Sequence, residues 1–137
     1  MEILKPIFIA SGKRKTCIAK AFIKDGTGKV SVNKLNYEYL PLMHRLMIKE
    51  PLEIAKTLLG ELKFDIEVRT AGGGNESKIE ASRLAIAKAL VGYTQSAELK
   101  KAMIEYDRSL LVADVRRKEP YKPGDSKARS KRQKSYR

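Results

Sequence analysis

The triple glycine Gly72-Gly73-Gly74, followed by Asn75, Ser77 and Lys78, is the first place in this sequence where chemistry could be housed. Glycines ahead of a helix let backbone N–H groups close on an anion, and a nucleotide-binding enzyme would use such a loop. The spacing fits neither GxxxxGK[ST] nor GxGxxG, because Lys78 follows Ser77 and no acidic residue stands where a metal or a ribose needs one. A plain strand-to-helix turn and a contact to an RNA phosphate both remain open for it. His44, beside Arg45, lacks the second histidine or paired nucleophile that would make it a general base. Cys17 shares a strand face with apolar residues, where a thiol is buried and inert. Asp65 and Glu67 lie on the polar side of a strand without a convergent partner, and Asp107-Arg108 reads as a structural charge pair near a helix end. One cysteine and one histidine supply neither a disulfide nor a metal cluster. No enzymatic site, cofactor or metal is expected.

The cations are another matter. The formal net charge is +13 over 137 residues, and self-repulsion on that scale calls for a polyanionic partner. The charge is unevenly placed: residues 1–114 hold 19 Lys and Arg against 14 Asp and Glu, and residues 115–137 hold 10 against 2. That final stretch has almost no aliphatic residue and cannot fold alone. Pro120, Pro123 and Gly124 favour an extended path, Arg116, Arg117 and Arg129 offer planar forks, and Tyr121 and Tyr136 add stacking surfaces. A solvated tail is the commoner fate of a charge run, but this mixture suits single-stranded or looped RNA. Lys13-Arg14-Lys15 opens a strand, and three consecutive cations there crowd a surface that phosphate would relieve. A membrane partner would need an amphipathic basic helix, a lipidation site or a long apolar span, and none is present.

The elements that must position these residues follow from periodicity. Ile7 to Ala10 fits a first strand, ended by Ser11-Gly12 and the basic triplet. Thr16 to Lys24 alternates, with Cys17, Ala19, Ala21 and Ile23 on one face and Ile18, Lys20, Phe22 and Lys24 on the other. Asp25-Gly26-Thr27-Gly28 then predicts a β-hairpin into Val30 and Val32. Asn33 to Lys49 is irregular and reads as a loop with a short helical turn, before a helix that opens at Glu50-Pro51 and carries Leu52, Ala55, Leu59 and Leu62. Phe64 to Arg69 alternates strictly as a strand. Ser77 and Glu80 form a capping box for a helix to about Tyr93, with Ile79, Ile86, Leu90 and Tyr93 as its stripe and Ala81, Ala85 and Ala89 allowing close approach to a sheet. Ser96 starts a shorter helix with Leu99, Met103 and Ile104, and Leu110 to Asp114 docks on the core. The order β, β, β, α, β, α, α predicts an α+β fold, helices on a small mixed sheet, with residues 1–114 as a globular RNA-binding domain and 115–137 as an extended basic tail.

Five blocks then resemble a known family. They are Gly12-Lys13-Arg14-Lys15-Thr16 with Ile18-Ala19; Val68-Arg69 leading to Gly72-Gly73-Gly74; Arg83 to Leu90; Asp107 to Asp114; and Arg116-Arg117-Lys118-Glu119-Pro120 with the ending Lys131 to Arg137. From Ile9 to Arg137 the chain resembles small-subunit ribosomal protein nine in its archaeal and eukaryotic form. The resemblance implies a left-handed β-α-β unit, a hand that crossover statistics disfavour. It implies a cytoplasmic, non-enzymatic constituent of the ribosome, in the head of the small subunit, with the 3′ major domain of small-subunit rRNA and neighbouring head proteins as partners. It also implies that Lys134, Tyr136 and Arg137 approach the anticodon stem-loop of tRNA in the peptidyl site. With the charge reading, the expected rRNA contacts are Lys13, Arg14, Lys15, Arg69, Gly72, Gly73, Gly74, Lys78 and Arg83, then Arg116, Arg117, Lys118, Arg129, Lys131 and Arg132 in the tail. Lys122 to Lys127 departs from the Gly-rich stretch common in relatives. Two competitors use a similar fold: a small-molecule kinase, which needs a second domain and catalytic acids, and the basic protein subunit of a tRNA-processing ribozyme, which lacks a long terminal tail.

Overall fold

The computed structural model describes residues 6–124, 127–129 and 136. Five strands, β1 (Phe8–Arg14), β2 (Cys17–Asp25), β3 (Val30–Val32), β4 (Leu35–Asn36) and β5 (Phe64–Ala71), form one mixed sheet in the order β1-β2-β5-β3-β4. Three helices, α1 (Leu42–Leu59), α2 (Asn75–Thr94) and α3 (Ala97–Tyr106), complete the α+β architecture. The alternation in β2 sorts as expected: Cys17, Ala19, Ala21 and Ile23 are fully buried, and Ile18, Lys20 and Lys24 are exposed. Phe64, Ile66 and Val68 of β5 join them, so the helices cover one face of the sheet and leave the other open.

The expected β-hairpin through Asp25-Gly28 does not form. β3 pairs parallel with β5, Val30 against Ile66 and Val32 against Val68, while β2 pairs antiparallel with the other edge of β5. β5 therefore separates β2 from β3, its backbone N–H and C=O groups pairing with one strand along each edge. Asp65 organises this connection by accepting from the N–H groups of Thr27 and Lys29, both at 2.9 Å, which corrects its reading as a carboxylate without partners. The tight hairpin is β1–β2 instead, closed by Lys15 and Thr16 with Lys15 at φ 52°. Nor does β1 end at Ser11-Gly12, since it continues to Arg14. A Cβ on Gly12 would stand 2.3 Å from the Ala81 carbonyl oxygen, so this glycine is where the backbone of α2 comes down on the sheet. The alanine strip on α2 is the other half of that approach, with Ala81, Ala85 and Ala89 fully buried.

α1 starts eight residues before the expected helix, Leu42 against Glu50, and absorbs much of the expected loop. Ile48, Leu52 and Ala55 are buried at helical spacing, and Pro51 lies inside the helix, fully buried. Its missing N–H leaves one carbonyl of the previous turn unpaired, which packing of the apolar face must offset. β3, α1 and β5 together make the β-α-β unit of the sheet. α2 also begins earlier than expected, at Asn75, with Gly74 as its N-cap and no side-chain capping bond. Ser77 is buried inside the first turn and Glu80 reaches Arg14, so the capping box is absent. Ser96 does cap α3, accepting from the Leu99 N–H at 3.2 Å. Leu99, Met103 and Leu110 are fully buried and Leu111 packs beside them, whereas Ile104 and Val112 face outward. From Val115 to Gly124 the chain has neither helix nor strand and is exposed.

Candidate nucleic-acid interface

Strand alternation divides the basic triplet. Lys13 points to the open side of the sheet and Lys15 occupies the hairpin turn, both exposed, but Arg14 faces α2 on the same side as the buried Gly12. Its side chain, 14% exposed, pairs through Nε with Glu80 and through Nη1 with Asp114 at 3.0 Å. The Nη1 contact is an ion pair without an aligned hydrogen bond. The expectation of three surface cations is corrected to two: Arg14 is enclosed because a residue at this register must meet α2. Arg83 has the same fate. Its Nε donates to Glu50 at 2.6 Å and its Nη2 to Asp107 at 3.1 Å, tying α2 to α1 and to the turn after α3. Asp107 accordingly pairs with Arg83 and caps Ser109, not with Arg108. The partners stand 66 residues from Arg14 and 33 and 24 from Arg83, so no local spacing could have disclosed them.

The glycine loop sits directly on the β1–β2 turn. Gly72 and Gly73 both have positive φ, 74° and 69°; a Cβ on Gly73 would be 2.7 Å from the Cys17 Cβ, and one on Gly72 would be 2.9 Å from the Thr16 carbonyl oxygen. Only glycine allows that approach. Gly74 has open space around it, and the first N–H groups of α2 have no side-chain cap. Lys15, the loop and the positive end of a 20-residue helix thus converge on one corner, with Lys78 one turn along α2. Lys78 is near enough to Cys17 to oppose the upward shift that burial imposes on the thiol. His44 belongs to α1 and bonds Glu76 at 2.7 Å, so it is a structural group on a helix and not a loop residue.

The tail leaves from a groove of about 710 Å³ lined in part by Lys13, Arg14, Arg83, Arg108, Asp114 and Arg116. Asp114 is the post at its root. The side chain and N–H of Arg116 bond its carboxylate and Arg14 adds its charge, which together hold Asp114 well below the usual carboxylate range. Arg117 donates to the Asp114 carbonyl at 2.7 Å, and Lys118 Nζ lies 4.5 Å from the centroid of the Tyr121 ring. Arg129 pairs with Glu119 at 2.6 Å. Arg69 stands apart, on the open sheet face, bonded to Glu67 at 2.8 Å and stacked over Phe22. Tyr136 is exposed; Lys131, Arg132, Lys134 and Arg137 lie outside the described residues. Among the described residues no cluster of His, Cys, Asp or Glu suits a metal ion, and no helix is long and apolar enough to cross a membrane.

An α+β domain whose charged side chains tie its helices together and line a cation-rich exit belongs to the class of small basic proteins that carry an exposed basic tail. Residues 12–137 match the pattern described as ribosomal protein S9/S16. The chain is 45% identical over 129 residues to the small ribosomal subunit protein uS9 of Methanococcus maripaludis, covering 92% of this chain and 95% of that protein. It is 43% identical, with the same coverage, to the protein of that name from Methanococcus vannielii. The chain belongs to the ribosomal protein S9/S16 family, as the resemblance implies, and the family is structural and not enzymatic.

Proposed function

We propose that this chain is a structural constituent of the small ribosomal subunit, bound in the head to the 3′ major domain of the small-subunit rRNA among neighbouring head proteins, in the cytoplasm. Residues 1–114 act as the globular RNA-binding domain and 115–137 as a basic tail. The observation that carries this reading is the corner where Lys15, the open Gly74 and the uncapped start of α2 meet, beside Lys13 and the tail root. Backbone N–H groups at a helix start, flanked by lysines, suit phosphate oxygens and position a protein on RNA without reading its sequence. Lys13, Lys15, Gly72, Gly73, Gly74 and Lys78 make the first contact surface. Arg116, Arg117 and Lys118 continue it, then Arg129, Lys131 and Arg132. Arg14 and Arg83 serve the surface from beneath, as ion-paired struts. Lys134, Tyr136 and Arg137 approach the anticodon stem-loop of tRNA in the peptidyl site.

The test is incorporation into small subunits combined with tRNA binding. Deleting residues 130–137 is expected to leave a folded protein that enters the subunit and weakens tRNA at the peptidyl site; loss of incorporation would overturn the division of labour between domain and tail. Replacing Lys13 and Lys15 by Gln is expected to flatten the slope of log affinity against log salt for rRNA by about one for each lost phosphate contact. An unchanged slope would return both to the solvent.

A further inference from the structure

The open face of the sheet is not accounted for by that interface. Cross-strand register places Ser11, Lys20 and Arg69 in one row across β1, β2 and β5, and Ile9, Phe22 and Glu67 in the next. Lys13 pairs with Ile18, diagonal to Lys20, at about 7–8 Å between such positions. The result is a diagonal of three cations, Lys13, Lys20 and Arg69, over three strands, with Lys24 further along β2. Like charges directly opposite one another, as Lys20 and Arg69 are, weaken a sheet unless something of opposite charge answers them. The two carboxylates on this face are already engaged: Glu67 bonds Arg69, Asp65 accepts from the N–H groups of Thr27 and Lys29, and both feel the charge of Lys24, which stands opposite Asp65. Lys20 has no ion-pair partner among the described residues. Apolar surface lies between the cations, with Ile9 55% and Ile18 44% exposed, and the Arg69 guanidinium caps the Phe22 ring at 5.1 Å. A depression of about 390 Å³ beside this stack is lined in part by Phe22, Lys24, Ser31, Glu67 and Arg69.

We infer that the open sheet face is a second RNA surface, distinct from the glycine corner and the tail except at Lys13, which borders all three, and that it takes unpaired nucleotides with phosphates on Lys20 and Lys24 and a base stacked on the Phe22–Arg69 pair. Cations alternating with flat apolar and aromatic surface is the pattern that holds single-stranded RNA. A protein partner is disfavoured because lysines are depleted from the cores of protein interfaces, and here they stand at the centre of the patch. Helices covering only one side of the sheet leave the protein able to join two RNA segments at once. This inference rests on the reading of the chain as an RNA-bound ribosomal protein.

The experiment uses the full chain, a labelled oligouridylate and graded salt, with Lys20→Gln/Lys24→Gln compared against Arg116→Gln/Arg117→Gln/Lys118→Gln and against the matched control Lys56→Gln/Lys100→Gln. Loss of two single-strand phosphate contacts is expected to lower the salt slope by about 1.4, so a fourfold rise in salt weakens the sheet variant about sevenfold less than the parent. The control pair is expected to keep the parental slope, and Lys20 and Lys24 should be shielded from an acylating reagent in assembled small subunits. A sheet variant with the parental slope overturns the inference; shielded lysines would then assign the face to an acidic protein neighbour, and reactive ones to solvent. A lowered slope with both lysines reactive in the subunit, or an equal fall in the control, overturns it too. Failure of the wider RNA reading looks different: the parent itself would bind without salt dependence, and the tail variant would change nothing.

Discussion

Replacing Arg83 by Met separates a structural role for this arginine from an RNA contact. Its guanidinium reaches Glu50, Asp107 and, at 3.4 Å, the Ser109 hydroxyl, with its own side chain 16% exposed and the two carboxylates 32% and 38% exposed. Removing one partner of a fully buried pair costs about 3–5 kcal/mol, since a charge is left without compensation. Here water reaches about a third of each carboxylate, which lowers the expected loss to about 2 kcal/mol. For a chain of this length that is a fall in melting temperature of roughly 6–10 °C. The loss also depends on acid. The Ser109 hydroxyl and N–H, then Arg83, hold the Asp107 carboxyl below its ordinary value, so its contribution is fully present above about pH 4 and disappears as pH falls through the lowered value. The gap between parent and variant, measured by urea unfolding, should therefore be widest near neutrality and narrow below about pH 4 by the part that Arg83 contributes to Asp107, since the Ser109 bonds remain in the variant. The slope of rRNA affinity against salt should not move. A variant as stable as the parent to within about 0.5 kcal/mol, yet with its slope reduced by about one, would refute the strut and restore Arg83 to the RNA.

Three further outcomes follow from contacts elsewhere. Gly12→Ala forces a methyl onto the Ala81 carbonyl oxygen and, at 2.7 Å, the Ala85 nitrogen; backbone cannot swing aside, so about 1–3 kcal/mol should be lost in a thermal melt. Unchanged stability would mean that α2 does not rest on β1 there. Asp65→Asn should destabilise by about 1 kcal/mol at neutral pH. Burial acts against the Asp65 carboxylate, but the N–H groups of Lys29, Thr27 and Gly28 together bring its pKa down, so the difference should vanish as pH drops below the ordinary carboxylate range, and a difference that persists in strong acid would contradict it. Asp114→Asn releases Arg14 and Arg116 at the tail root, and limited trypsin digestion at Arg116 and Arg117 should accelerate; an unaltered rate would show that the clasp does not hold the root.

Where a signal is local, the sequence carries it. The alternation in β2 and β5, the Ser96 cap and the alanine strip on α2 each depend on neighbours within one turn or one strand, and each is found as expected. The misreadings share a different cause. Asp25-Gly28 has the composition of a hairpin turn, but a strand more than thirty residues later, β5, takes the place between β2 and β3, so the turn chemistry serves a wider connection that Asp65 closes. Pro51 looks like a helix start because proline is tolerated there, whereas Ile48, Leu52 and Ala55 bury a face that already contains it. Gly12 looks like a strand end until the backbone of α2 is above it.

The cations obey the same division. Sequence alone ranks Lys13, Arg14, Lys15 and Arg83 together, since charge and proximity are all it offers. Tertiary structure sorts them by a physical criterion, whether a carboxylate is already within reach. Arginine, with its fixed fork, is the residue that two acids from different elements can share, and both enclosed cations are arginines. The exposed ones at the corner and on the open sheet are mostly lysines, whose compact charge on a flexible stem suits an irregular line of phosphates. The chain spends Arg14 and Arg83 on its own architecture and presents lysine, Arg69, glycine backbone and tail arginine outward, so single substitutions in the first group should register as stability and those in the second as salt slope.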